Sequence, residues 1–166
     1  YPGARGGKVI ADLLFGILSP SGKLPVTFYE DVADLPDFED YSMKGRTYRY
    51  LTKEPLYPFG YGLSYGEAAI TNVTVNGQVA GNGANIVADT TKEMLCMVEV
   101  ENKSHIAISE VIQVYIKDMD SAYAPIGGRL CGFARVSLAA GERKSVPVRM
   151  DADAFAVVDH GGRKIQ

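Results

Sequence analysis

The sequence predicts a mainly β protein in which a short helical and irregular region, residues 1–65, precedes a β-sandwich, residues 66–166. Four runs within the second region alternate apolar and polar side chains with the period of two that half-buried strands show, and turn-forming residues separate them. The first region holds six of the eight prolines and eight of the ten tyrosines. Because proline interrupts regular backbone hydrogen bonding, this distribution favours one regular domain with an irregular extension.

Two regular elements are predicted in the first region. Apolar residues spaced three or four apart indicate a helix over residues 8–15, with an apolar stripe made of Val9, Ile10, Leu13 and Leu14. Gly16 can end this helix in a left-handed conformation, and Pro20 prevents the helix from resuming. Residues 24–28 are predicted as a short strand, which Pro25 confines to a sheet edge or to an irregular extended segment.

Residues 29–65 show no lasting periodicity, yet their many aromatic residues argue against disorder. Six acidic residues and no basic one fall within residues 30–40, whereas four basic residues and no acidic one fall within residues 44–53. We therefore expect an ordered arm that lies across another surface. Residues 46–50, Arg-Thr-Tyr-Arg-Tyr, could form a nucleic-acid or sugar platform, but the nearby acidic run favours arginine–aromatic stacking and ion pairs that hold the arm in place.

Strands of the second region are predicted over residues 69–75, 93–102, 109–117, 130–138 and 143–150, followed by a helical turn at 152–155 and a last short strand at 156–158. Asn76-Gly77 and residues 139–142 mark turns. The period of two places seven residues on inward faces: Met94, Cys96, Val98, Val100, Val146, Val148 and Met150. Such strands fit a sandwich of about 100 residues.

Composition and charge exclude several classes of protein. The chain has 166 residues, of which 46% are hydrophobic and 22% charged, and its formal net charge is −3. This balance argues against a nucleic-acid partner, and no apolar run reaches the ~20 residues that a membrane span needs. We expect a soluble protein of the bacterial cytoplasm or a secreted one. The chain begins with Tyr1 instead of Met, which favours a fragment or a processed chain.

No set of residues in the sequence makes a complete active site. His105 and His160 lie in loop-like contexts without a second ligand at metal spacing, so exposed histidines are favoured. Cys96 lies on the inward face of its strand, and a disulfide across the sandwich is possible. The period of two, however, places Cys131 on the face opposite to that of Leu130, Gly132 and Val136, which favours two free cysteines. Residues 118–121 resemble a calcium loop only at its start, so a turn is favoured. We predict no catalytic, cofactor-binding or metal-binding residue and no cofactor.

Several stretches resemble glycoside hydrolase family 3. In the first region they are residues 1–3, 6–7, 10–16, 20–28 and 45–50 and, above all, residues 55–65, Pro-Leu-Tyr-Pro-Phe-Gly-Tyr-Gly-Leu-Ser-Tyr. In the sandwich they are residues 110–116, 129–136 and 140–142. The resemblance covers nearly the whole chain. It implies a multidomain retaining β-glycosidase of the β-glucosidase or β-xylosidase type, with a barrel, an α/β-sandwich domain and often a C-terminal fibronectin type III-like domain.

On this resemblance, residues 1–65 are the end of the α/β-sandwich domain plus a tyrosine-rich linking arm. Residues 66–166 are a fibronectin type III-like, immunoglobulin-like sandwich that lacks its last strand. The catalytic aspartate and glutamate of the family lie in segments with no counterpart here, so the chain alone is expected to be inactive. Its implied partners are the rest of the parent glycosidase and, through that parent, a β-glucoside or β-xyloside. Self-association through the apolar stripe of the helix is also expected.

The alternative is a stand-alone carbohydrate-binding or adhesion module. Exposed aromatic rings on one face of the sandwich would support it, because sugars stack on flat rings. The sequence has no Trp, and after Tyr65 its aromatic residues are Tyr115, Tyr123, Phe133 and Phe155. Tyr115 and Phe133 fall within predicted strands, which favours packing roles for both and therefore the glycosidase fragment.

Overall fold

The computed structural model describes residues 3–165, so Tyr1 and Pro2 of the first motif and the terminal Gln166 lie outside the described residues. The helices are α1 (Gly6–Leu14) and α2 (Thr47–Tyr50), and short 3₁₀ turns occur at Val32–Asp34 and Ala152–Phe155. The strands are β1 (Ala68–Val75), β2 (Gln78–Val79), β3 (Met94–Asn102), β4 (Ile108–Ile116), β5 (Arg129–Leu138), β6 (Arg143–Met150), β7 (Val157–Val158) and β8 (Lys164–Ile165). The predicted mainly β fold is confirmed.

Two antiparallel sheets enclose the hydrophobic core. One has four strands in the order β2-β1-β3-β6, and the other consists of β4 and β5. At the centre of the larger sheet Val98 pairs with Val73 on one side and with Val146 on the other. Alternate residues of β3 are buried, as the period of two predicts, and the buried cluster draws on both sheets. All seven residues predicted to face inward are buried.

Two short hairpin strands were not predicted. Asn76 and Gly77 have φ values of 48° and 81°, the two left-handed residues of a tight hairpin turn that joins β1 to β2. The Asn76 side chain fixes this turn by accepting a hydrogen bond from the Leu95 N–H at 2.9 Å. β8 pairs antiparallel with β7 across a longer loop, residues 159–163, near the end of the described residues. Strands of two residues are too short to show alternation.

The predicted orientation of Cys131 is wrong, because β5 contains a β-bulge at this residue. The ladder pairs Val114 with Gly132 and Tyr115 with Leu130, so Cys131 has no ladder partner. This extra residue interrupts the alternation, and Cys131 packs against the core instead of facing away from it. Its thiol donates a hydrogen bond to the Val114 carbonyl at 3.2 Å. Both cysteines are free, as predicted.

The predicted strand over residues 24–28 is wrong as a continuous strand. Leu24 N–H donates to the Tyr61 carbonyl at 2.8 Å, and Phe28 forms an isolated antiparallel bridge with Tyr57. Pro25 lies between these two points and has no N–H to donate, so no ladder forms between them. The segment is therefore the irregular extended alternative that its proline allows.

The first region has no core of its own. The predicted helix is present as α1, and Gly16 beyond it has a φ of 70°, the predicted left-handed conformation. No described residue before Ala68 is buried, and Leu14 and Phe15 are 79% and 83% exposed. Within residues 3–165 no helix is both long enough and apolar enough to cross a bilayer. The order of this region therefore depends on contacts with the sandwich.

Candidate functional site

The arm, residues 29–65, lies across the outer face of β4 and β5 through a small cluster of aromatic rings. The Tyr48 ring stacks on Phe59, with ring centroids 4.2 Å apart and an interplanar angle of 14°. Tyr115 on β4 meets both rings edge-on, at centroid distances of 6.2 Å and 6.4 Å. Stacked and edge-to-face arrangements are both favourable for aromatic pairs. The arm is thus ordered on another surface, as predicted, and Tyr115 has its predicted packing role.

Backbone hydrogen bonds fix the same contact. The Gly127 N–H donates to the Arg49 carbonyl at 2.8 Å, and the Leu130 N–H donates to the Tyr48 hydroxyl at 3.1 Å. A β-carbon at Gly127 would overlap the Tyr48 carbonyl oxygen, so a larger residue would displace the arm. Thr47 has a φ of 55°, a left-handed conformation that costs a β-branched residue about 1–3 kcal/mol. The contacts around Tyr48 offset that cost.

Residues 19–24, which precede the arm, are tied to the sandwich by polar side chains. Lys23 Nζ lies 2.8 Å from Glu110 Oε1 on β4, and both side chains are largely covered. Removing either partner would leave a covered charge without its counter-ion. Arg135 on β5 donates to the Ser21 hydroxyl at 2.7 Å. These contacts hold the segment between α1 and the arm against the same sheet that carries the aromatic cluster.

The basic segment of the arm is held partly as predicted. Arg49 lies over the Tyr48 ring, 5.8 Å from its centroid, and Lys53 forms an ion pair with Asp34 of the acidic run. Arg46 differs from the prediction, because its guanidinium donates to three backbone carbonyls, those of Asp37, Asp40 and Ser42. Arg46 thus binds the acidic run and Ser42 through main-chain oxygens, and the pattern of charged residues in the sequence does not predict these contacts.

The described carboxylates have the environments of turn and ion-pair residues. Every shifted carboxyl pKa among residues 3–165 is lowered, chiefly by hydrogen bonds that the carboxylate accepts: Asp34, Asp40, Asp89, Glu101, Asp118, Glu142 and Asp159. At Asp89, hydrogen bonds from Thr91 and Lys92 lower the pKa to about 2. A general acid at neutral pH needs a raised pKa. The absence of catalytic residues from this chain stays a prediction.

Other candidate residues also have local structural roles. His105 and His160 are exposed, as predicted, and His160 meets the Tyr123 ring edge-on at 5.2 Å. The Asp118 carboxylate accepts two backbone N–H bonds within its own turn, at 3.0 Å each, which confirms the predicted turn. Within the described residues no group of three or more histidine, cysteine or acidic side chains could hold a metal ion.

One predicted packing role is wrong. Phe133 is 69% exposed, although it lies opposite Gln113 in the ladder between β4 and β5. Neither the close approach at Gly127 nor the Lys23–Glu110 ion pair is predicted from the sequence. Only the Gly127-Gly128 dipeptide gave a signal, and it is as compatible with a simple turn as with a close backbone approach.

Comparison with known families finds two matches along the chain. Residues 1–65 match the glycosyl hydrolase family 3 C-terminal domain, and residues 110–166 match a fibronectin type III-like domain. The two matches follow the order of the irregular region and the sandwich described above.

Curated relatives are similar over nearly the whole chain. A xylan 1,4-beta-xylosidase of Xylanibacter ruminicola is 38% identical over 96% of this chain, which corresponds to 17% of that protein. A periplasmic beta-glucosidase of Salmonella typhimurium is 34% identical over 93% of this chain and 21% of that protein. The chain thus spans only about a fifth of the length of these relatives.

Solved structures support the fold in the same way. A beta-glucosidase from Listeria innocua, in complex with glucose, superposes on all of this chain and on 24% of its own length, with a TM-score of 0.78 and 32% identity. A beta-D-glucoside glucohydrolase from Trichoderma reesei gives a TM-score of 0.79 at 24% identity over 98% of this chain, a likeness of fold alone.

Proposed function

Because the chain belongs to glycoside hydrolase family 3, we propose that it is the C-terminal part of a β-glycosidase that removes terminal, non-reducing β-D-glucosyl or β-D-xylosyl residues with retention of configuration. The observation that carries this proposal is the identity of 34–38% to proteins named beta-xylosidase and beta-glucosidase over nearly all of this chain. The parent protein supplies the catalytic groups and this chain the C-terminal scaffold.

Retaining hydrolysis needs two carboxyl groups about 5 Å apart on either side of the glycosidic bond. The lowered carboxyl pKa values within residues 3–165, such as that of Asp89, support their assignment to structural roles. In this proposal residues 1–65 complete the α/β-sandwich domain and extend into the arm, whereas residues 66–166 form the fibronectin type III-like domain.

The experiment that tests this proposal compares the chain with its parent on p-nitrophenyl β-glucoside and β-xyloside. We expect the parent protein to hydrolyse at least one substrate and the purified chain to hydrolyse neither. Hydrolysis by the chain alone would overturn the structural assignment, and an inactive but folded parent would overturn the glycosidase assignment.

The rest of the parent glycosidase is the proposed partner of the exposed apolar surface on α1. Leu14 and Phe15 are exposed, and an open cleft of about 770 Å³ separates α1 from the β4–β5 sheet, so the helix is not packed tightly on the sandwich. Contiguous exposed apolar surface of this kind is typical of an interface. The chain alone should therefore self-associate.

Light scattering coupled to size-exclusion chromatography tests the self-association. The double variant Leu14→Lys with Phe15→Lys should lower the apparent mass of the chain at high concentration. A wild-type chain that stays strictly monomeric would contradict the proposal.

A bacterial cytoplasmic or secreted location is also proposed for the protein, and the Salmonella relative named periplasmic supports the secreted alternative.

A further inference from the structure

A cleft of about 480 Å³ opens within the arm itself, and all of its lining residues come from the arm: Leu35, Pro36, Phe38, Asp40, Tyr41 and Arg46. Two of them are aromatic and almost fully exposed, since Phe38 is 93% and Tyr41 91% accessible. They differ from the other aromatic residues of the arm, such as Tyr48 and Phe59, whose rings contact each other. Exposed rings beside a concave surface are a common feature of binding sites.

The backbone that carries these two rings is held in place. Arg46 closes the segment by donating from Nε to the Ser42 carbonyl at 2.9 Å and from its terminal nitrogen to the carbonyls of Asp37 and Asp40. Two turns within the segment are fixed by aspartate side chains, which accept from the N–H groups of Glu39 and Ser42 at 2.9 Å and 2.8 Å. A binding surface ordered in advance loses less conformational entropy when a ligand docks.

The polar groups beside the rings define what the cleft could recognise. The carboxylate of Asp40 lines the cleft, and those of Asp37 and Glu39 lie next to the ring residues in sequence. Asp37 and Asp40 already accept hydrogen bonds in their turns, but a carboxylate oxygen can accept a second one, and all three groups repel anions. Hydrogen bonds from Ser42 lower the pKa of Asp40, so it is ionised at neutral pH. Arg46, the cation in the cleft, already donates to three carbonyl oxygens. An uncharged ligand with flat C–H faces for the rings and hydroxyl donors for the carboxylates is compatible with these groups, whereas an anion is not.

We propose that the cleft between Phe38 and Tyr41 binds a β-linked neutral oligosaccharide of glucose or xylose units, with pyranose faces against the two rings and hydroxyls donating to the neighbouring carboxylates. This inference rests on the proposed function, because it identifies a contact for the carbohydrate that the parent enzyme degrades. The site holds the saccharide chain and takes no part in bond cleavage.

The test is calorimetric titration of the folded 166-residue chain with cellotetraose and xylotetraose. We expect saturable binding of at least one probe. Phe38→Ala and Tyr41→Ala should each weaken it about tenfold or more, because each removes a stacking face. Tyr41→Phe keeps the ring and should stay near the wild-type affinity. Phe133→Ala is the matched control, since Phe133 is also well exposed but lies outside the cleft.

Two outcomes would overturn the proposal. One is the absence of binding by a chain whose thermal unfolding shows it to be folded, which would assign the two rings to packing against the rest of the parent. The other is binding that Phe133→Ala weakens as much as Phe38→Ala does. Neither outcome affects the proposed function, because hydrolysis by the parent protein is measured separately.

Discussion

The sandwich and the region before it are ordered by different means. The sandwich buries a continuous hydrophobic cluster between its two sheets, whereas no described residue before Ala68 is buried. The first region is held instead by a few specific contacts, among them the Tyr48 ring cluster and the Lys23–Glu110 ion pair. The sandwich should therefore fold without the arm, while the arm needs the sandwich as a surface.

The largest expected effect is the loss of stability when a core side chain of the sandwich is truncated, because the first region has no such core. Leu138 is almost fully buried between the sheets, and Leu138→Ala should lower the free energy of unfolding by about 2–5 kcal/mol through lost contacts and a cavity. Leu14→Ala on exposed α1 is the matched control, with an expected change within about 0.5 kcal/mol. Urea titrations followed by circular dichroism measure both. Equal losses would show that α1 carries a core of its own.

Asn102 tests whether the sandwich also depends on a buried polar clamp. Its amide donates to the carbonyls of Ile106 and Ala139 at 2.7 Å and 2.9 Å, and its oxygen accepts from the Ser104 N–H at 2.9 Å. Asn102→Ala leaves these buried groups without partners and should cost about 1–3 kcal/mol. The exposed Asn85→Ala is the control in the same urea titration. An unchanged urea midpoint for both variants would show that the hydrogen bonds of Asn102 do not stabilise the sandwich.

Gly127→Ala is expected to act on the arm more than on the sandwich. Its added methyl group would overlap the Tyr48 carbonyl, so the arm should detach while the core stays packed. Global stability should fall by about 1 kcal/mol or less, whereas trypsin cleavage after Arg49 should accelerate severalfold. Gly81→Ala, where a methyl group meets open space, is the control. Unchanged cleavage in Gly127→Ala would contradict the docking contact.

The smallest expected effect concerns acid stability. The folded-state pKa of Asp89 is about 2, below its usual 3.8, so its hydrogen bonds stabilise the fold above about pH 4 and stop doing so as the pH falls through 2. Asp89→Asn should therefore show a weaker decline in melting temperature between about pH 5 and pH 2.5 than the wild type. Parallel declines would show that Asp89 is not coupled to folding.

The sequence predicted the two regions unequally well, for a physical reason. Alternation along a strand is a local pattern, so β6 was predicted at its observed bounds and β3 within one residue. The bulge at Cys131 was missed because an extra residue in one strand is defined by its pairing with the other. The arm was predicted to be ordered from its aromatic content, but its partner Gly127 is distant in sequence.

The candidate saccharide cleft also depends on contacts that local sequence patterns do not predict. Phe38 and Tyr41 are single aromatic residues among acidic ones in the sequence, and nothing local marks them as exposed. The segment that carries them is held by hydrogen bonds from Arg46 to main-chain carbonyls. Such contacts leave no trace in charge patterning, because any residue supplies a carbonyl oxygen.

Hydrogen exchange of the intact chain, read by mass spectrometry, tests most directly the claim that the sandwich is the cooperative unit and the arm a docked layer. We expect the amides of β3 and β6 to exchange only through global unfolding, and the amides of residues 29–65 to exchange much faster. The amides around Leu130, next to the Tyr48 hydroxyl, should lose part of their protection in Gly127→Ala. Equal protection of the arm and of β3 would contradict the account, because it would make both regions one folding unit.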